Sequence, residues 1–209
     1  MTFFSHIQKF EESLSHSKTS INHDEFKQFL VTHEQKRVFL TAAQKGCINI
    51  VKYLLSPPSQ TDITPSDINQ DIEENSGDNA LILAVKEDQL TMVTYLSTLP
   101  NINLHAVNKE NKTALMIAVR NSFLSIIKHL VTLDNIDINY GYYNNDGILI
   151  DAVRTNNLSV IKYLTSLPNI DINHTNDVGG TPLSYAVRLN LLDVVKHFLT
   201  LDNIDINKQ

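Results

Sequence analysis

The triplet Ala-Val-Lys/Arg returns at a fixed interval. Ala84-Val85-Lys86, Ala118-Val119-Arg120, Ala152-Val153-Arg154 and Ala186-Val187-Arg188 each lie 34 residues apart, and an earlier copy, Ala42-Ala43-Gln44, precedes the first by 42 residues. An apolar pair follows each at a matching distance: Val51 and Leu54, Val93 and Leu96, Ile127 and Leu130, Ile161 and Leu164, Val195 and Phe198. Three copies close on the same tail, Asn-Ile-Asp-Ile-Asn, at 135–139, 169–173 and 203–207, and Asn101-Ile102-Asn103-Leu104-His105 is a looser version. A period of this length means a chain built from one small supersecondary unit, stacked.

Each unit reads as two short helices. In the last copy Thr181 is placed to cap a helix, Pro182 fits the first turn, and Leu183, Ala186 and Val187 share a face. Leu191, Val194, Val195 and Phe198 then form the inward face of a second helix. Helices of about ten residues are too short to persist alone, so each must bury its face on neighbours. The recurrent small alanine lets adjacent helices approach closely. Asn135, Asn169 and Asn203 are expected to end the second helix in the left-handed conformation. The alternating tail is expected to be extended, and Asn145-Asp146-Gly147 and Asp177-Val178-Gly179-Gly180 supply turns.

The run Thr181-Pro182-Leu183-Ser184-Tyr185-Ala186 resembles the Thr-Pro-Leu-His-x-Ala hallmark of the ankyrin repeat, and Thr113-Ala114-Leu115-Met116-Ile117-Ala118 is the next best match. Histidine is absent from the fourth motif position in every copy, and the glycine usual between the two helices survives only as Gly46. The resemblance covers about four fifths of the chain. It implies an all-α solenoid of five helix-turn-helix repeats, at about 37–78, 79–112, 113–146, 147–180 and 181–209. Residues 1–36 lie outside it. Phe3, Phe4, Ile7, Phe10 and Leu14 are helically spaced, as are Phe26, Phe29 and Leu30. Two helices capping the first repeat are expected; a separate partner-binding arm is the alternative. The junction from Ser56 to Asp78, eight residues longer than the others, reads as a surface loop or as a binding or modification site. At the other end no polar capping helix follows Phe198, so either that helix is polar outside or the chain is cut from a longer protein.

Composition narrows the function. A net charge of −6 and a pI near 5.7 give no pull toward nucleic acid or anionic membranes, and no stretch approaches a membrane span. The single Cys47 excludes an internal disulfide and suits a reducing compartment, so cytoplasm is expected, or host cytoplasm for a delivered effector. No glycine-rich phosphate loop, CxxC pair or His-Glu-x-x-His helix is present, so neither catalysis, nor a metal, nor a cofactor is expected. Cys47 shares its column with Gln89, Phe123, Asn157 and Leu191 and is expected to be structural. His129 and His197 align with Tyr53, Tyr95 and Tyr163, a packing position with a polar tip. Asp137, Asp171 and Asp205 are expected to form turns.

A monomeric scaffold holding a protein partner on its concave face is therefore the expectation, with the recognition region of a larger enzyme or a host-directed bacterial effector as the alternative. What the resemblance implies about the site is contact through turn tips and first-helix ends. The tips are Asn75, Ser76 and Asp78; Lys109, Glu110 and Lys112; Tyr143, Asn144 and Asp146; and Asp177 with Val178. Lys86, Arg120, Arg154 and Arg188 form a column of cations, read either as a track for an acidic or phosphorylated segment or as complements to helix dipoles. Tyr140, Tyr142 and Tyr143 are candidate anchors between Arg120 and Arg154.

Overall fold

In the computed structural model, residues 3–15, 23–32, 34–56, 63, 67–70, 76–134, 136–141 and 145–208 are described. They form twelve α-helices and one 3-10 turn, with no strand among them. The chain divides into two compact units, Met1–Ala114 and Leu115–Gln209.

The first unit holds α1 (Phe3–Ser15), α2 (His23–Thr32), α3 (Gln35–Gln44), α4 (Ile48–Leu55), α5 (Ala80–Lys86) and α6 (Leu90–Ser97). Helix α3 packs on α5 and α4 on α6, so first helices meet first helices and second meet second. Helix α1 lies on α4, and Phe10 and Phe26 build an aromatic cluster that reaches Tyr53, with centroids 4.6 and 5.2 Å apart. Phe4 departs from the expected inward face and is exposed. The second unit holds α7 (Ala114–Arg120, Ala114 closing the first unit), α8 (Leu124–Leu130), α9 (Ile148–Thr155), α10 (Leu158–Thr165), α11 (Pro182–Arg188) and α12 (Leu192–Phe198). Here α9 packs on α11 and α10 on α12. Ala84, Ala118, Ala152 and Ala186 are 0% exposed, as the close approach of helices requires.

One device links the helices of every pair. Gly46, Asp88, Ser122, Asn156 and Asn190, the same column, all have positive φ, from 53 to 73°. The residue after the left-handed one donates its N–H to the repeated alanine: Cys47 to Ala42, Gln89 to Ala84, Phe123 to Ala118 and Leu191 to Ala186, each at 2.9 Å. This is the six-to-one bond that closes a helix on a left-handed residue. In the fourth pair the Thr155 hydroxyl donates to the Ala152 carbonyl instead, at 2.8 Å. Serine gains least from the left-handed region, so Ser122→Gly is expected to raise stability by about 1 kcal/mol. A urea midpoint at or below the parent's would contradict this.

Second helices end differently from the expectation. Asn169 and Asn203 do not adopt positive φ, and Asn135 lies outside the described residues. Thr98, Thr132, Ser166 and Thr200, again one column, each donate a hydroxyl hydrogen to the carbonyl three residues back at 2.7 Å. A hydroxyl satisfies the last turn, and of Asn101, Asn169 and Asn203 in this column Asn101 alone is left-handed, at φ 68°. Nor are the tails extended. Asp137, Asp171 and Asp205 each accept the N–H two residues on, at 2.9 to 3.0 Å, making turns in which the aspartate side chain replaces a backbone carbonyl.

Candidate functional site

The turn tips are held open by buried polar side chains. Gly77, Asn111, Asn145 and Gly179 occupy one column and all have positive φ, which turns the chain back toward the next first helix. Behind the tip sits an asparagine. The Asn176 carboxamide oxygen accepts from Gly180 N–H at 2.7 Å, and that of Asn108 accepts from Glu110 and Lys112 N–H at 3.0 and 3.1 Å. Each asparagine turns its amide nitrogen onto a buried aspartate: Asn108 onto Asp78 at 2.8 Å, and Asn176 onto Asp146 at 2.6 Å. Each aspartate in turn pairs with the cation ending the first helix, Asp78 with Lys86 and Asp146 with Arg154, the latter at 2.6 Å. The two triads are 68 residues apart at every position, two repeats, and each lies within one unit.

In the second unit the charges continue into a chain. Arg120 grips Asp151 through Nε and Nη2, both at 3.0 Å, the fork that guanidinium makes with carboxylate. Arg154 reaches the same carboxylate at 3.3 Å, and its Nη2 meets the Tyr185 hydroxyl at 3.2 Å. The Tyr185 ring lies between Arg154 and Arg188, whose guanidinium carbons stand 4.8 and 4.1 Å from its centroid. Asp151 is 1% exposed; burial pushes its pKa above the ordinary carboxylate value, against the pull of Arg120 and Arg154. Burial works against the Arg154 charge, yet the bond to Asp146, then the charges of Asp146, Tyr185 and Asp151, hold its pKa above the ordinary value.

The cations of the expected track are therefore not bare. Lys86, Arg120 and Arg154 are neutralised by Asp78, Asp151 and Asp146, a role that neither the binding track nor the helix dipole supplies. Arg188 is exposed and stacks on Tyr185. Three guanidinium groups meet two carboxylates in this chain, so one positive charge is left over. Asp146 and Asp78, expected as surface contacts, are buried at 4% and 3% exposure because they anchor the turns. Lys109, Asp177 and Val178 are exposed at tips, and Lys112 is half-buried in an ion pair with Glu110. Tyr140 is exposed, whereas Tyr142, Tyr143, Asn144 and Asn75 lie outside the described residues. Asp151 and Tyr185 escaped sequence reasoning. The signal was present: Asp151 is the acid in a column otherwise filled by Thr41, Leu83, Ile117 and Tyr185.

A second ladder runs along the tails. Asn139 donates its amide hydrogen to the Asn169 carbonyl at 2.7 Å and accepts from Asp171 N–H at 2.8 Å. Asn173 repeats both bonds on Asn203 and Asp205, at 2.8 Å each. In the first unit Asn69 does the same to Asn101 and Asn103. Elsewhere, Cys47 borders a cavity of about 460 Å³ with Glu11 and Lys45, and no histidine lines it among the described residues. Burial, then the Glu11 charge, push the thiol up to about 11, far from a thiolate at neutral pH. His197 accepts or donates at Thr165 Oγ1 over 2.8 Å, half-buried, in keeping with a packing position.

A family model described as ankyrin repeats (3 copies) matches residues 14–104, 39–142, 97–176 and 142–209 in overlapping copies. No curated protein matches the chain.

Proposed function

Because the chain belongs to the ankyrin repeat family, whose repeats serve generally as protein-binding modules, we propose that it holds a partner protein against its turn tips and first-helix ends. The centre of that surface is the second unit, from Tyr140 to Arg188. The observation that carries the reading is Arg188, an exposed guanidinium pre-oriented on the Tyr185 ring, at the end of a chain with surplus positive charge. Guanidinium binds carboxylate or phosphate in a fork, so an acidic or phosphorylated segment of the partner fits it. Tyr140 and Val178, exposed in the same unit, add apolar contact area. Arg120, Arg154 and Asp146 shape the surface by holding the turns, and Asp177 borders it. No step of this reading needs a catalytic group or cofactor. The buried, undissociated Cys47 suits a reducing environment such as cytoplasm.

The test is affinity capture from cytosolic extract with the parent chain and with Arg188→Glu combined with Tyr140→Ala. Both positions are exposed, so folding, checked by circular dichroism, is expected to be unchanged. The reading expects a partner whose yield drops about tenfold or more with the variant. Phosphatase treatment of the extract separates a phosphorylated segment from an acidic one. Equal capture by both chains would move the site away from this surface.

A further inference from the structure

One buried donor in the first unit is left over. The Asn79 side chain, 2% exposed, caps α5 by accepting the Ile82 N–H through Oδ1 at 2.9 Å. Its Nδ2 has no hydrogen-bond partner among the described residues. A buried amide without an acceptor costs stability, and capping does not require one. Thr181 stands in the same column and makes the same bond to the third residue on, with no nitrogen to satisfy.

Asn79 forms part of the wall of a polar cavity of about 240 Å³, with Asn69, Gly77, Val107, Asn108 and Lys109. One water molecule needs only about 15 Å³, so the space holds something larger. Its walls are fastened to their surroundings. Lys109 N–H donates to the Ser76 carbonyl at 2.8 Å, Asn108 Nδ2 to Asp78 at 2.8 Å, and Asn69 Nδ2 to the Asn101 carbonyl at 2.7 Å. Gly77 permits that closeness, since a Cβ there would meet Lys109 N at 2.8 Å. A cavity built in advance lowers the ordering cost of binding.

The polar groups of the wall decide what fits. All three asparagine oxygens are engaged: Asn69 Oδ1 accepts from Asn103 N–H at 2.7 Å, Asn108 Oδ1 from Glu110 and Lys112 N–H, and Asn79 Oδ1 from Ile82. What remains is a donor, the Asn79 amide, and a cation, the exposed Lys109. No acidic side chain lines the cavity among the described residues. An occupant must therefore bring acceptors, and a negative charge on them makes the bond stronger. We infer that the cavity is a carboxylate site, in which the Asn79 amide donates to one oxygen beside Lys109. The carboxylate comes from an acidic side chain of a bound segment or from a free carboxylate. Val107, 41% exposed in the wall, offers a segment apolar contact that a small acid leaves unused. The wall lies within the first unit, so the inference does not depend on Arg188.

The Asn79 side-chain amide reports on the site directly. Its NMR signals are assigned by their absence from Asn79→Thr, and the 209-residue chain is titrated with N-acetyl-glutamate methylamide, its glutamine analogue and acetate. The expected result is a saturable shift of the Asn79 amide with the glutamate probe at a Kd of roughly 1 mM, which about 14 non-hydrogen atoms reach at ordinary ligand efficiency. The neutral glutamine probe should bind about tenfold more weakly or worse. In Asn79→Thr the backbone signals of Gly77 and Lys109 should no longer respond to the glutamate probe. Asn79→Asp, which keeps the cap and puts a negative charge in place of the donor, should lose the response too. Circular dichroism establishes that both variants fold. Weaker binding of acetate than of the glutamate probe assigns the carboxylate to a peptide segment, and equal binding assigns it to a free carboxylate. No saturable shift with either carboxylate overturns the inference and leaves the cavity to water. Equal binding of the glutamine probe, or a response that persists in Asn79→Thr, overturns it as well.

Discussion

Replacing Asp146 with alanine is expected to cost about 3 kcal/mol of folding stability, because one carboxylate serves two repeats. It is buried at 4% exposure, pairs with Arg154 at 2.6 Å and accepts from Asn176 at 2.6 Å. Its removal leaves Asn176 with the Tyr185 hydroxyl as its remaining partner for the amide hydrogens, at 3.0 Å. Asn176 also holds the tip through Gly180, so the turn loosens with it. The cost falls at the lower end of what breaking a buried pair costs, since the Arg154 side chain is 36% exposed and turns toward water. Urea denaturation measures the loss, and a cycle with Arg154→Met isolates the pair. In the double variant the cost should shrink, because the guanidinium that loses its shorter ion pair is absent as well. A loss below about 0.5 kcal/mol, the range of an ordinary surface substitution, would show that the triad is not holding the turn.

What the sequence showed well was the apolar period. The 34-residue interval located the last four helix pairs, since an alanine column and an apolar column determine which faces must meet. Thr181 and Pro182 start α11 as expected, with Thr181 and Ser184 bonding each other's backbone N–H at 3.2 and 2.8 Å. What stayed hidden was polar and inter-repeat. Asp146 reads in sequence as the middle of a turn, and turn residues are ordinarily exposed; only the fold places Asn176 and Arg154 around it. The cation column was visible, yet its partners lie at two different offsets, 8 residues back for Arg154 and 31 forward for Arg120. No single spacing marks both. The left-handed column was masked for a simpler reason: Asp88, Ser122, Asn156 and Asn190 stand where glycine signals that conformation. Their short polar side chains tolerate it without announcing it.

The same limit governs the N-terminal helices, where Glu11→Ala is expected to release α1 from α4 at a cost of about 2 kcal/mol. The residue preceding α4, Cys47, makes no side-chain cap, so the first turn of that helix lacks an acceptor of its own. Glu11 supplies it from α1. Its carboxylate accepts from Asn49 N–H at 3.1 Å, Ile50 N–H at 3.0 Å and the Asn49 amide at 2.9 Å. A negative charge at a helix N-terminus is favourable in itself, and charge-assisted bonds are the stronger kind. Because α1 also covers Cys47, which is 8% exposed, the thiol reports on this contact directly. Labelling of Cys47 follows the population of the opened state, so the variant should react roughly 30-fold faster, as about 2 kcal/mol implies. Glu11→Gln keeps one acceptor oxygen and should fall between the two. If Cys47 is labelled at the parent rate while the urea midpoint drops, Glu11 does not fasten α1 to α4, and the first two helices do not act as a cap.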